Sequence, residues 1–266
     1  MIAAMQALHL LRHYAAPWTR TLIDVLLPRA CRVCDAPLVG HEPPELLSHW
    51  LCPPCRGALI PVEAPFCQKC GEAFDGAADS SFQCTNCAGQ KIAFEFAIAG
   101  FQTSGPALDL IHRFKYGRDL SLRIVLERML ERALRDPRLS GLDAQQWCLV
   151  PVPLHPLRER ERQFNQSREL CHELARRKGL PLIDAMKRSR STPKQALLTR
   201  HQRLENLRGA FEVKRRFTEQ RSALRGKSVL LVDDVFTTGA TTNECARVLR
   251  RDAGVQKVVV ISVARG

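Results

Sequence analysis

The sequence predicts an α/β protein: a mainly parallel sheet flanked by helices, preceded by a small metal-held module. Three observations predict it. Eight of the 11 cysteines form Cys-x-x-Cys pairs between residues 31 and 87. From residue 147 onward, short β-branched runs alternate with helical patterns, the rhythm of βαβ units. At 266 residues and 45% apolar, the chain is long enough to bury a core without covalent staples.

Residues 1–28 read as an amphipathic helical segment. Leu8, Leu10, Leu11, Leu22, Val25 and Leu26 supply an apolar face, and Pro28 ends it. His9, Arg12, His13, Arg20 and Asp24 interrupt this stretch, so it does not read as a signal peptide. No apolar run reaches the ~18 residues of a transmembrane span. The expected compartment is therefore cytoplasmic.

Residues 29–90 form the cysteine module, rich in proline and without helical period. Its pairs are Cys31/Cys34, Cys52/Cys55, Cys67/Cys70 and Cys84/Cys87. Each pair presents two thiolates to one ion at ~2.3 Å, and two pairs complete a tetrahedron. Thiolate-only tetrahedra select zinc or iron–sulfur, and this spacing favours two zinc ions. Four sulfurs leave no open coordination position, so both sites should be structural. A redox Cys-x-x-Cys would stand singly at a strand–helix junction. Sequential pairing and cross-brace pairing both fit the gaps. Cys148, Cys171 and Cys245 fall in strand or helix patterns and read as small buried hydrophobes.

Residues 91–266 form the α/β part. Residues 91–103 alternate and are aromatic-rich, predicting a strand. Residues 104–135 read as two helices separated at Tyr116-Gly117-Arg118. Trp147 to Pro153 is a short buried strand, followed by a charged loop and a helix from about Asn165 to Arg177, stopped by Gly179. Leu182–Ser189 reads as a short strand, and 190–227 as a basic, irregular stretch with a turn or two of helix near Arg200–Arg208. Val229–Val232, Gly239–Arg251 and Val258–Val263 then give strand, helix, strand.

The charge is uneven. The whole chain has 40 Lys and Arg against 27 Asp and Glu, a net of +13, which points to an anionic partner. Residues 150–227 alone hold 20 basic against 8 acidic side chains, +12, whereas Cys31 to Gln90 is −4. The cysteine module is thus a poor phosphate gripper and the α/β part a good one. His112, His155, His172 and His201 show no ligand spacing to one another.

The most informative segment is Val229-Leu-Leu-Val-Asp-Asp-Val-Phe-Thr-Thr-Gly-Ala-Thr241. A buried strand ends in two carboxylates, and a Thr- and Gly-rich turn then opens a helix. Such a turn exposes successive N–H groups as an anion nest, and the helix N-terminus adds more donors. Gly239 admits close backbone approach, and Thr237, Thr238 and Thr241 offer hydroxyls to phosphate oxygens. Asp233 and Asp234 repel phosphate but accept hydrogen bonds from sugar hydroxyls. No Gly-x-x-x-x-Gly-Lys-Ser/Thr is present here, so Walker-type nucleotide binding is excluded.

These thirteen residues resemble the phosphoribosyl-pyrophosphate (PRPP) signature of type I phosphoribosyltransferases. Val150-Pro-Val-Pro153 with Arg162-Gln-Phe-Asn-Gln166 resembles the pyrophosphate-loop region of the competence protein ComF family, which includes GntX. So do Gln195-x-x-Leu198, Arg203-x-x-Asn206 and Ala210-Phe211, and Leu26-Leu27-Pro28 leading into Cys31-x-x-Cys34 is similar to that family's start. Lys115-Tyr116-Gly117 is similar to its segment before the core. One departure is visible: the family usually has Gly before Phe-Asn-Gln, where this chain has Gln163. A Gly there would supply a positive φ.

The resemblance implies a type I phosphoribosyltransferase-like parallel sheet preceded by a double zinc ribbon, with a hood at 91–118 and a basic flexible loop at 190–227. It implies that Thr237, Thr238, Gly239, Ala240 and Thr241 bind the 5′-phosphate, and that Asp233 and Asp234 face the ribose hydroxyls. Pro153, Asn165 and Gln166 would lie along the diphosphate with Mg²⁺. Pyrophosphate would leave C1 through an oxocarbenium-like state, so cations near the leaving group are needed. Arg158, Arg160, Arg162, Lys194, Arg200 and Arg203 are candidates, with Arg162, Lys194 and Arg203 as the catalytic set. Two functions then compete. One is PRPP-dependent transfer or binding of ribose 5-phosphate in DNA uptake or utilisation. The other is a non-catalytic factor of the competence machinery that handles single-stranded DNA on the same basic surface.

Overall fold

The computed structural model describes residues 29–38, 47–74, 76, 82–190, 207–215 and 223–266. The helix expected over 1–28 lies outside the described residues, as do Lys194, Arg200, His201 and Arg203 and most of the basic 190–227 stretch.

Four strands form one parallel sheet: β1 (Ala97–Gln102), β2 (Trp147–Pro151), β5 (Ser228–Phe236) and β6 (Lys257–Arg265), in the order β1-β6-β5-β2. Both faces are covered, which is why β5 and β6 read as nearly unbroken Val, Leu and Ile runs. On one face Leu230, Val232, Val259, Ile261 and Val263 pack against α2 (Gly105–Tyr116), α3 (Arg123–Ala133) and α5 (Gln166–Lys178). On the other, Val229, Leu231, Val258 and Val260 pack against α6 (Ala240–Ala253). A two-stranded antiparallel sheet of β3 (Met186–Arg188) and β4 (Phe211–Val213) joins that second layer.

Among its described residues the cysteine segment is made of turns, isolated bridges and one short helix, α1 (Pro53–Gly57), which begins on prolines because their missing N–H groups are orphans there anyway. Its two halves dock on opposite layers: Cys31, Leu51 and Cys52 join the α2/α3 side, and Cys67, Cys70 and Cys87 join the α6 side. No helix among the described residues is long and apolar enough to cross a membrane.

Several boundaries differ from expectation. The strand expected from residue 91 begins at Ala97, because the chain first turns against α6, where the Ala93 N–H donates to Asn243 Oδ1 at 2.7 Å. The charged loop after β2 contains a helix, α4 (Pro156–Arg162). The strand expected over 182–189 is regular only at Met186–Arg188. β5 runs on to Phe236, so Asp233 and Asp234 lie within the strand and not beyond it.

Candidate functional site

The carboxyl ends of the parallel strands meet at one edge, the usual place for a ligand in an open α/β sheet. The Val152 N–H donates to Val232 O at 3.0 Å, and the Gly266 N–H to Phe236 O at 2.9 Å. The exits of β2, β5 and β6 are thereby held side by side.

Asp233 and Asp234 sit at this edge. Asp233 Oδ1 accepts from Ser167 Oγ at 3.2 Å and from the Asp234 N–H at 2.9 Å. Asp234 Oδ1 pairs with Lys115 Nζ at 2.9 Å, with both side chains largely buried. Burial and then the neighbouring Asp234 carboxylate push Asp233 up to about 7; Lys115, the Asp234 N–H and Ser167 pull against them. Asp233 is therefore a group whose charge responds to whatever donor arrives.

The Thr237–Thr241 loop follows directly. Gly239 has φ +75 and caps α6, whose Asn243 N–H donates to Gly239 O at 2.8 Å. A Cβ on Gly239 would lie 2.6 Å from Phe236 Cζ, so only glycine fits this turn. Phe236 is wedged under the loop by Phe94, edge-on at 6.0 Å, and by the Arg265 guanidinium at 5.2 Å. The loop thus offers α6's first-turn N–H groups and the hydroxyls of Thr237, Thr238 and Thr241 on a rigid base.

Across the edge, Asn165 joins β2 to α5. Its Nδ2 donates to Val152 O at 3.1 Å, and its Oδ1 caps α5 by accepting the Ser167 N–H at 3.0 Å. Arg162 Nη1 donates to Gln166 Oε1 at 2.8 Å. Gln163 ends α4 with φ +70, so the departure from glycine leaves a left-handed residue there with its Cβ in place. Pro153 is buried in the turn between. The structure therefore brings together Pro153, Arg162, Asn165, Gln166, Asp233, Asp234 and Thr237–Thr241. Lys194 and Arg203 lie outside the described residues.

Three site residues escaped the sequence reading of the site: Lys115, Ser167 and Arg188. Arg188, on β3, is buried; burial lowers its pKa, as does Arg158, while Asp233 opposes them. It stacks over Phe211 at 5.3 Å. Lys115 belongs to the Lys-Tyr-Gly segment, but only the fold places it on Asp234.

The cysteines form two clusters, Cys31/Cys34/Cys52/Cys55 and Cys67/Cys70/Cys84/Cys87, each with its sulfurs within 4.8 Å of one another. The pairing is sequential, not cross-brace. The Sγ separations of Cys34–Cys52 and Cys70–Cys84 are both 3.6 Å. Sulfurs at ~2.3 Å from a tetrahedral zinc stand ~3.8 Å apart, so the donor sets fit structural zinc. At one sulfur of each cluster backbone N–H groups favour the thiolate: against burial, those of Cys34, Cys52 and Val33 bring Cys31 down to about 6. Those of Cys84, Cys70 and Lys69 likewise bring Cys67 down to about 7. Cys148, Cys171 and Cys245 are fully buried, and burial raises all three, as their packing role requires.

Both clusters reach the site. Arg113 Nη1, on α2, donates to Arg32 O at 2.6 Å in the first cluster's Cys31–Cys34 turn, two residues before Lys115. Beside the second cluster, Arg265 pairs with Glu72 and donates to Phe236 O at 3.3 Å. A cleft between that cluster and the loop is lined by Cys70, Cys87, Lys91, Phe94, Thr238 and Gly239.

Residues 22–88 match the double zinc ribbon domain model. The chain is 32% identical over 213 residues to competence protein F of Haemophilus influenzae, covering 79% of this chain and 90% of that protein. It is 30% identical over 229 residues to the DNA utilization protein YhgH of Escherichia coli K12, covering 85% and 92%. A shorter match, 35% over 105 residues, links it to competence protein ComFC of Bacillus subtilis, covering 39% of this chain and 38% of that protein.

Proposed function

This chain belongs to the family of competence protein F and the DNA utilization protein YhgH, and from that premise we propose that its α/β part binds PRPP with Mg²⁺ and holds or transfers ribose 5-phosphate in DNA uptake or utilisation. One observation carries the reading. Two adjacent carboxylates at the carboxyl edge of a parallel sheet are followed by a Thr- and Gly-rich turn that opens a helix.

In this reading Asp233 and Asp234 accept hydrogen bonds from the ribose 2′- and 3′-hydroxyls. Lys115 gives up Asp234 or shares it. The 5′-phosphate lies against the N–H groups and hydroxyls of Thr237–Thr241, where the helix end favours negative charge. The diphosphate lies along Pro153, Asn165 and Gln166, with Arg158, Arg162 and Arg188 supplying positive charge and Lys194 and Arg203 as the further cations of the catalytic set. Mg²⁺, held chiefly by substrate phosphates and water, would neutralise charge on the leaving pyrophosphate. In transfer, the C1–O bond to pyrophosphate breaks and a nucleophile forms the new bond at C1. The protein's part is position and fixed charge. Calorimetry with PRPP and Mg²⁺ tests this. Binding by the wild type that is lost in Asp233→Ala/Asp234→Ala supports it; no binding, or equal binding by both, refutes it.

A second reading rests on the +12 between residues 150 and 227. That stretch would grip single-stranded DNA; of the relatives, YhgH is named a DNA utilization protein. With about six to ten phosphate contacts, affinity should fall roughly 10³–10⁵-fold between ~50 and ~200 mM salt. A flat salt response removes this reading.

A further inference from the structure

The helix α4 borders the edge where a diphosphate would lie, yet nothing apolar holds it there. None of its seven residues is buried, and its one large apolar side chain, Leu157, is 55% exposed. A helix this short has no stability of its own in water. Its half-buried residues are Arg158, Glu159 and Arg162, charged groups at the spacing of one helix face. Two of them belong to the site. Arg162 Nη1 donates to Gln166 Oε1 at 2.8 Å. Burial and then the charge of Arg158 lower the pKa of Arg188, which Asp233 raises, so Arg158 lies within electrostatic reach of the carboxylate edge.

The third, Glu159, is tied elsewhere. Its Oε1 accepts from Arg168 Nη1, in the first turn of α5, at 2.7 Å. Arg168 Nε also pairs with Asp184 Oδ2 at 3.1 Å, and Asp184 Oδ1 pairs with Lys214 Nζ at 2.8 Å. The far end of this chain of charges is firm: the Ile183 N–H donates to Leu149 O of β2 at 2.9 Å, and the Lys214 N–H to Ala185 O at 2.7 Å. Burial lowers the Arg168 pKa, but Asp184 and Glu159 outweigh it and raise the pKa overall. An isolated exposed ion pair adds little. This one is part-buried, and a planar guanidinium can hold two carboxylates at once, as an ammonium point charge does poorly. It runs from the sheet to a helix that has no core contact of its own.

We propose that Arg168 is a positioning residue, the centre of a Glu159–Arg168–Asp184 strap that fixes α4 and so sets where Arg158 and Arg162 stand for a ligand's diphosphate. The inference rests on the reading of this edge as a phosphoribosyl diphosphate site. Arg168 acts through α4 and need not touch the ligand.

The test uses the full zinc-loaded chain as wild type, Glu159→Gln, Arg168→Gln and the double variant. In the ligand-free proteins, hydrogen exchange of the 156–163 amides should be about 5-fold faster in each variant, while α6 keeps its wild-type exchange. Calorimetry with Mg²⁺ then compares PRPP, pyrophosphate and ribose 5-phosphate. Both single variants should bind PRPP and pyrophosphate about 5- to 10-fold more weakly, and ribose 5-phosphate, which lacks the diphosphate, as the wild type does. The sign at Glu159 separates position from field. Acting through space alone, loss of its negative charge would tighten the binding of an anion; loss of the strap weakens it. The double variant leaves the net charge unchanged and should be no weaker than either single variant, because the pair acts as one unit. Unchanged exchange in α4, tighter pyrophosphate binding by Glu159→Gln, or equal weakening toward ribose 5-phosphate overturns the strap. A wild type that binds none of the three ligands refutes the phosphoribosyl reading, and the exchange measurement then decides the strap by itself.

Discussion

Substituting Gly239 by alanine tests how tightly the Thr237–Thr241 loop is built. Two penalties add. At φ +75, a residue with a Cβ is disfavoured by ~1–2 kcal/mol relative to glycine. The new Cβ would also lie 2.6 Å from Phe236 Cζ and 3.2 Å from its Cε2. Phe236 has little room to retreat, since it is 3% exposed and braced by Phe94 and Arg265. Overpacking of this kind costs ~1–3 kcal/mol. The sum is ~2–5 kcal/mol, or a fall in Tm of roughly 5–15 °C for a domain of this size. Gly141→Ala is the control: its φ is +78, but nothing lies within 4 Å of a Cβ there, so only the backbone penalty applies. Thermal unfolding of the zinc-loaded proteins, paired with PRPP calorimetry, reads both. If Gly239→Ala loses no more stability than Gly141→Ala, the close packing of the loop on Phe236 is wrong.

Three further outcomes are expected. Gln163→Gly should raise stability by ~1 kcal/mol, seen as a Tm higher by a few degrees, because Gln163 holds φ +70 at the end of α4. Asp233 titrates near 7 in the folded protein against 3.8 ordinarily, so its contribution is fully present below pH ~4 and is lost as pH rises through 7. Urea unfolding of the ligand-free protein should show this decline, and Asp233→Asn should flatten it; sugar hydroxyls that favour the carboxylate should release protons on binding near pH 6. Elemental analysis should find two zinc ions per chain, and stripping them should lower Tm by more than ~10 °C and weaken PRPP binding, since both clusters brace the site through Arg113 and Arg265. Visible iron–sulfur absorption would contradict the zinc assignment.

Much of this architecture is local and so was legible in the sequence. The cysteine spacing announces metal knuckles, and the Val-Leu-Leu-Val run, its carboxylates, the glycine turn and the helix are contiguous. What the sequence hid depends on distance or on weak local signal. Pro156–Arg162 has the composition of a charged loop, since three of its seven residues are Arg and two are Glu and none of them is buried, and it becomes a helix through His155 and Pro156 at its start. The β3/β4 pair has three residues per strand, too few for a period to register. Spacing could not choose between zinc pairings; the docking of the two halves on opposite layers does. Ser167 reaches Asp233 from 66 residues away, and Lys115 reaches Asp234 from another helix, contacts that no local motif encodes.

The edge formed by Asp233, Asp234 and Thr237–Thr241 is the proposed phosphoribosyl site. A crystal structure with PRPP and Mg²⁺ tests it most directly. The 5′-phosphate should lie within hydrogen-bond distance of the Thr238–Thr241 N–H groups, with the ribose hydroxyls on Asp233 and Asp234 and Lys115 displaced or shared. Ordered PRPP at any other place, or an edge left empty at saturating PRPP, would contradict it.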